Sequence, residues 1–68
     1  MLRRRLTDTE IRVLQLVARG YTDEAIGEEL GVARNTARKH MTNVLNKLGV
    51  HSRAHAVSLC LCEGIIEC

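Results

Sequence analysis

The sequence predicts an all-α fold, a four-helix bundle with a helix-turn-helix at its centre. Three observations lead there. Apolar residues recur at helical spacing, with no strand-like alternation. Thr or Ser stands ahead of three of the four periodic segments, where a helix N-cap belongs. Gly follows each segment, and the chain contains no Pro, so glycine supplies the punctuation.

The first helix starts at Thr7. Thr7-Asp8-Thr9-Glu10 has the spacing of a capping box, in which the Thr hydroxyl takes the Glu amide and the Glu side chain reaches back. Leu6 and Ile11 stand where a hydrophobic staple clamps such an entry. Val13, Leu14, Val17 and Ala18 make the inward stripe, and Gly20 ends the helix with a left-handed cap. Thr22 caps a second, short helix whose Asp23 and Glu24 favour the N-terminal dipole. Its Ile26 and Leu30 face inward, and Gly31 ends it. The third helix runs over 34–48, with Ala37, Met41, Val44, Leu45 and Leu48 as its apolar stripe and Gly49 as its stop. Ala33 occupies its N-cap and cannot cap, a loss of about 1 kcal/mol relative to Ser. The fourth helix starts at Ser52, runs over 52–63 and ends at Gly64, with Ala56, Leu59 and Cys60 inward. A short helix, a Gly-containing turn (Leu30-Gly31-Val32-Ala33) and a longer basic helix make the helix-turn-helix pattern.

Size and composition exclude several functions. A chain of 68 residues is at most one domain, and such a domain buries only about 60% of the surface its unfolded chain exposes. It has no Phe or Trp and a single Tyr, so Leu, Val, Ile and Ala must build its core. That leaves little room for a deep cleft of roughly 300–1,000 Å³, which argues against an enzyme. No activated nucleophile, carboxylate pair or phosphate-binding Gly loop is visible. No apolar run is long enough to span a membrane, and basic residues 1–5 lead into Leu6-Thr7-Asp8 rather than a signal-peptide core. Three cysteines crowded at one end form no disulfide framework and suit a reducing cytoplasm. Cys60-x-Cys62 near His51 and His55 lacks the spacing of a structural zinc site, so no metal or cofactor is expected.

Charge is unevenly spread, although the net value is only +2. Residues 21–31 hold Asp23, Glu24, Glu28 and Glu29 with no base; residues 32–53 hold Arg34, Arg38, Lys39, Lys47 and Arg53 with no acid. Such asymmetry is either a partner-binding signal or a solvated helix face. On a helical wheel, Asn35, Arg38, Lys39, Thr42 and Asn46 share one arc opposite Ala37, Val44 and Leu48. That row suits the major groove: Arg and Lys donate to guanine, Asn pairs with adenine, and Thr offers a hydroxyl and a methyl.

These residues carry a resemblance. Leu6-Thr7-Asp8-Thr9-Glu10, Val13-Leu14, Gly20, Ile26, Leu30-Gly31-Val32, Asn35-Thr36, Lys39-His40, Lys47-Leu48-Gly49-Val50 and Ser52-Arg53 with Ala56-Val57 closely resemble the LuxR/FixJ/GerE-type DNA-binding domain. The resemblance runs without gaps over residues 6–66, leaving 1–5 as a basic linker or a phosphate-touching arm. It implies a homodimer that binds double-stranded DNA as the output domain of a bacterial transcription regulator. It implies base reading by Arg38, Lys39, Thr42 and Asn35, and contacts to the DNA backbone by Arg34, Thr36, Lys47 and Arg53. It also implies either an N-terminal receiver or ligand-sensing domain in a full-length protein or a stand-alone regulator. His40 reads as structural first and phosphate-contacting second. The chain departs from the pattern at Ala33, Ala37 and Ile11, and at Glu24 and Glu29, acids where a base usually stands near the DNA backbone.

The fourth helix carries a second apolar edge, Ala54, Val57 and Leu61 with Cys62 and Ile65 beside it. An exposed apolar stripe on a small domain marks an interface, and here the resemblance implies a symmetric dimer. The sequence is compatible with two alternatives. Region four of bacterial sigma factors has a similar paired-helix reader but generally lacks the Gly49-Val50-His51-Ser52-Arg53 opening of a fourth helix. A module that only dimerises is favoured by the acidic second helix and opposed by the Arg38, Lys39 and Thr42 face.

Overall fold

A computed structural model describes residues 5–67. Arg3 and Arg4 of the basic arm or linker, and the terminal Cys68, lie outside the described residues. Four helices follow in order, α1 (Asp8–Ala18), α2 (Asp23–Leu30), α3 (Arg34–Leu48) and α4 (Arg53–Cys62), with no strand among the described residues.

The helix starts follow side-chain chemistry. Thr7 Oγ1 accepts from the Glu10 amide at 3.1 Å while Glu10 Oε1 accepts from the Thr7 amide at 2.8 Å, which completes the capping box. Thr22 Oγ1 accepts from the Ala25 amide and Ser52 Oγ from the His55 amide, both at 3.1 Å. Only α3 begins without a side-chain cap, at Ala33.

The four helix ends share one device. Each is followed by a glycine of positive φ (Gly20, Gly31, Gly49, Gly64). The next residue sends its amide back to a carbonyl five positions earlier: Tyr21 to Leu16, Val32 to Gly27, Val50 to Leu45 and Ile65 to Cys60. This closure satisfies carbonyls that the helix leaves open and folds an apolar side chain back over its last turn. It corrects one expectation from sequence. Ile65 stands not on an outer edge but in the core at 8% exposure, because Gly64 (φ 72) turns the chain inward. The returning segment is then held by α1: the Glu67 amide donates to Gln15 Oε1 at 3.0 Å, and Gln15 Nε2 donates to the Glu67 carbonyl.

Leu14, Ile26, Met41, Val13, Val44 and Cys60 are fully buried, and Ala37 and Ala56 join them. Leu16 and Ile66 are core residues that the helical stripes did not single out. α1 and α3 each pack against the other three helices, and the α2–α3 pair is the most extensive. A Cβ on Gly27 would fall 2.7 Å from the Val32 carbonyl oxygen, so a bare backbone there lets the turn into α3 fold tightly against α2. Burial raises the pKa of the Cys60 thiol, helped by the charge of Glu63, so it stays a neutral packing group. Among the described residues no helix is long and apolar enough to cross a membrane.

Candidate nucleic-acid interface

The polar row of α3 is exposed as its periodicity requires. Arg34, Asn35, Thr36, Arg38, Lys39, Thr42 and Asn46 face solvent, while Ala37, Met41 and Val44 are buried on the other side. His40 sits between, partly buried. Anchoring three apolar residues in the core holds the helix at a fixed rotation, so the polar row is presented rigidly. The Thr42 hydroxyl donates to the Arg38 carbonyl at 3.1 Å. Its hydrogen is thereby used, which leaves the oxygen lone pairs and the methyl outward.

The fold engages three of the bases marked in the sequence. Arg53, at the first turn of α4, brings Nη2 to 2.7 Å from Asp23 Oδ1. Arg38 Nε lies 3.6 Å from the other oxygen, Asp23 Oδ2. Asp23 Oδ1 is buried, and the Arg53 contact is an ion pair without an aligned N–H. Asp23, at the start of α2, thus links α3 to α4. Lys47 is the third. Its Nζ is 2.7 Å from Glu10 Oε1, so the residue expected at the DNA backbone is committed to an internal pair between α3 and α1. Burial would raise the Glu10 pKa. The hydrogen bonds from Lys47 and the Thr7 amide, with the Lys47 charge, outweigh it and hold the carboxyl below its ordinary value.

Sequence reasoning missed both acids as contacts. Glu10 and Asp23 were legible as helix-start residues, but their cationic partners are distant in sequence and no local pattern names them. The remaining acids of α2 divide. Glu29 lies 3.7 Å from Arg12 of α1, an exposed pair worth little, while Glu24 and Glu28 are exposed with no ion-pair partner among the described residues. On α4, Ala54 is exposed, but Val57 and Leu61 are half-buried against the core. The apolar edge is therefore narrower than the sequence suggested, and Val32 is the one large hydrophobic side chain that is exposed among the described residues, at 36%.

No three His, Cys, Asp or Glu side chains come together as a metal site among the described residues. A shallow groove of about 450 Å³ along α1 is lined by Asp8, Thr9, Ile11, Arg12 and Gln15, all from one helix, so it has no opposing wall.

A short helix, a tight glycine turn and an exposed polar helix braced by two others define a tetrahelical helix-turn-helix protein. Residues 4–60 match the family described as bacterial regulatory proteins, luxR family, and the chain belongs to that family. It is a DNA-binding domain of transcriptional regulators and not an enzyme. Its fold matches a solved structure of the transcription factor GerE with a TM-score of 0.88 and 33% identity, over 93% of this chain and 94% of that one. The transcriptional regulatory protein YdfI of Bacillus subtilis (strain 168) is 39% identical over 61 residues, which is 90% of this chain and 29% of that protein. LiaR of the same organism, also a transcriptional regulatory protein, is 45% identical over 51 residues, 75% of this chain and 24% of that protein. The chain therefore spans only about a quarter of the length of these curated relatives.

Proposed function

We propose that this domain reads a specific duplex DNA site by laying α3 in the major groove, and that it does so as a homodimer joined through α4. The observation that carries the reading is the rigid polar row on α3, backed by buried Ala37, Met41 and Val44. Arg38, Lys39, Thr42 and Asn35 meet base edges; Arg34, Thr36 and Arg53 meet phosphates. Lys47 adds at most a shared contact, since Glu10 already holds its ammonium. Ala54, Val57 and Leu61 supply the aliphatic edge at which two copies of α4 meet, with residues 6–66 as the folded unit and residues 1–5 as linker. The greater length of the relatives supports a preceding receiver or ligand-sensing domain that couples a signal to this one in the bacterial cytoplasm.

The test is selection from random duplex DNA with the purified domain at near-physiological salt. A two-fold symmetric consensus with half-sites about one helical turn apart is the expected result. Enrichment of no sequence, with binding only at low salt, overturns groove reading and leaves a module that acts through protein contacts. A selected single half-site bound by a monomer overturns the dimer alone.

A further inference from the structure

We propose that Asp23 is a specificity-determining positioning residue, one that aims Arg38 at its base while Arg53 neutralises the aiming carboxylate. The inference rests on the groove-reading role of α3. Its own ground is the arrangement of three side chains from three helices. The Asp23 side chain is only 15% exposed, and each of its two oxygens faces a different arginine. Arg53 is the tighter partner at 2.7 Å; Arg38 is the looser one at 3.6 Å and keeps a side chain 64% exposed.

The atom involved on Arg38 matters. Asp23 faces Nε, on the inner flank of the guanidinium. A guanidinium has five N–H donors in a planar fork, so a contact at Nε leaves both terminal nitrogens free. Those two are the pair that reaches guanine O6 and N7 together. An unrestrained arginine loses much of its side-chain freedom when it is fixed on a base. A carboxylate beside Nε lowers that loss for the right base, because its charge favours the side-chain conformers that keep the guanidinium next to Asp23. Arg53 removes the usual penalty of an acid near DNA: with two arginines on one carboxylate, the trio carries a net positive charge. Among the described residues the other acids of α2 lack this arrangement, since Glu24 and Glu28 are exposed without a partner and Glu29 faces Arg12.

A competing account makes Asp23 only a repulsive acid, or a lock that DNA must displace. The two accounts differ in what Asp23→Asn does. As a lock or repeller, its removal strengthens binding to every sequence alike. As a positioning residue, its removal lowers discrimination at the one base pair that Arg38 reads. The experiment measures affinity for the selected site and for single-base variants of it, at fixed salt, with wild type, Asp23→Asn, Arg38→Ala and the double variant. Glu24→Gln serves as the charge control from the same turn of α2. We expect Asp23→Asn to reduce discrimination roughly fivefold to tenfold at the Arg38 base pair and under about twofold elsewhere, a part of what a bidentate base contact supplies. In the Arg38→Ala background the same change moves no ratio. Glu24→Gln shifts all sequences together.

An unchanged discrimination ratio in Asp23→Asn, or an equal gain on all sequences matching Glu24→Gln, overturns the role of Asp23 while leaving groove reading intact. A wild-type domain that prefers no sequence overturns groove reading itself, and this proposal with it. Far-UV circular dichroism checks that each variant is folded at the assay temperature. If Asp23→Asn is not folded, Asp23→Ser replaces it, since a hydroxyl suits the first turn of a helix and also lacks the carboxylate.

Discussion

Replacing Lys47 with Met removes the ammonium that faces Glu10 and keeps most of the aliphatic stem. Glu10 is 4% exposed, so among the described residues its carboxylate then keeps only Thr7 as a hydrogen-bond partner. A hydrogen bond to a charged group contributes about 1.5–3 kcal/mol. The Lys47 side chain is 37% exposed, so water screens the pair and the lower part of that range applies. A loss of about 1.5 kcal/mol follows, which for a domain this small lowers Tm by roughly 6–12 °C. The pH dependence carries a second signature. The folded pKa of Glu10 lies below its ordinary value of 4.5, so its stabilising contribution is complete above that value and is lost as pH falls through the folded pKa. In Lys47→Met, burial without the ammonium raises the Glu10 pKa, and protonation relieves the strain instead of causing loss. The stability gap between the two proteins therefore narrows on acidification, first above pH 4.5 as the variant's Glu10 takes up its proton, then below pH 4.5 as the wild type loses its ion pair. Urea unfolding followed by circular dichroism across pH reads both effects. Equal stability at neutral pH, or a gap that stays constant into acid, refutes a structural role for the pair.

The other predictions are independent of it. Ala33→Ser supplies the missing cap of α3 and raises stability by about 1 kcal/mol in the same unfolding assay. Gly27→Val sets a branched side chain against the Val32 carbonyl, where even a Cβ stands at 2.7 Å, and lowers stability by about 1–3 kcal/mol. Lys39→Ala loosens sequence choice by roughly 1–3 kcal/mol in competition binding with matched and mismatched sites. Equal losses on both kinds of site count against Lys39 as a base reader.

Much of this protein is determined by short stretches of sequence. The capping box at Thr7 and the caps at Thr22 and Ser52 set three helix starts, and glycines ahead of apolar residues set all four helix ends, within a residue or so of their observed bounds, because capping and turn chemistry act over three to five positions. Helical periodicity likewise assigned the polar row of α3 to the surface and Ala37, Met41 and Val44 to the core. Tertiary structure decided how charges and ends are used. Ile65 reads as an edge residue until Gly64 and the Gln15–Glu67 hydrogen bonds bring it into the core. Lys47 reads as a surface base until α1 packs beside α3 and presents Glu10. Asp23 reads as a helix-dipole acid until the arrival of α4 sets Arg53 and Arg38 about one carboxylate. Such pairings join residues far apart in the chain, and their partners are chosen by which helix faces meet, a property that no local pattern encodes.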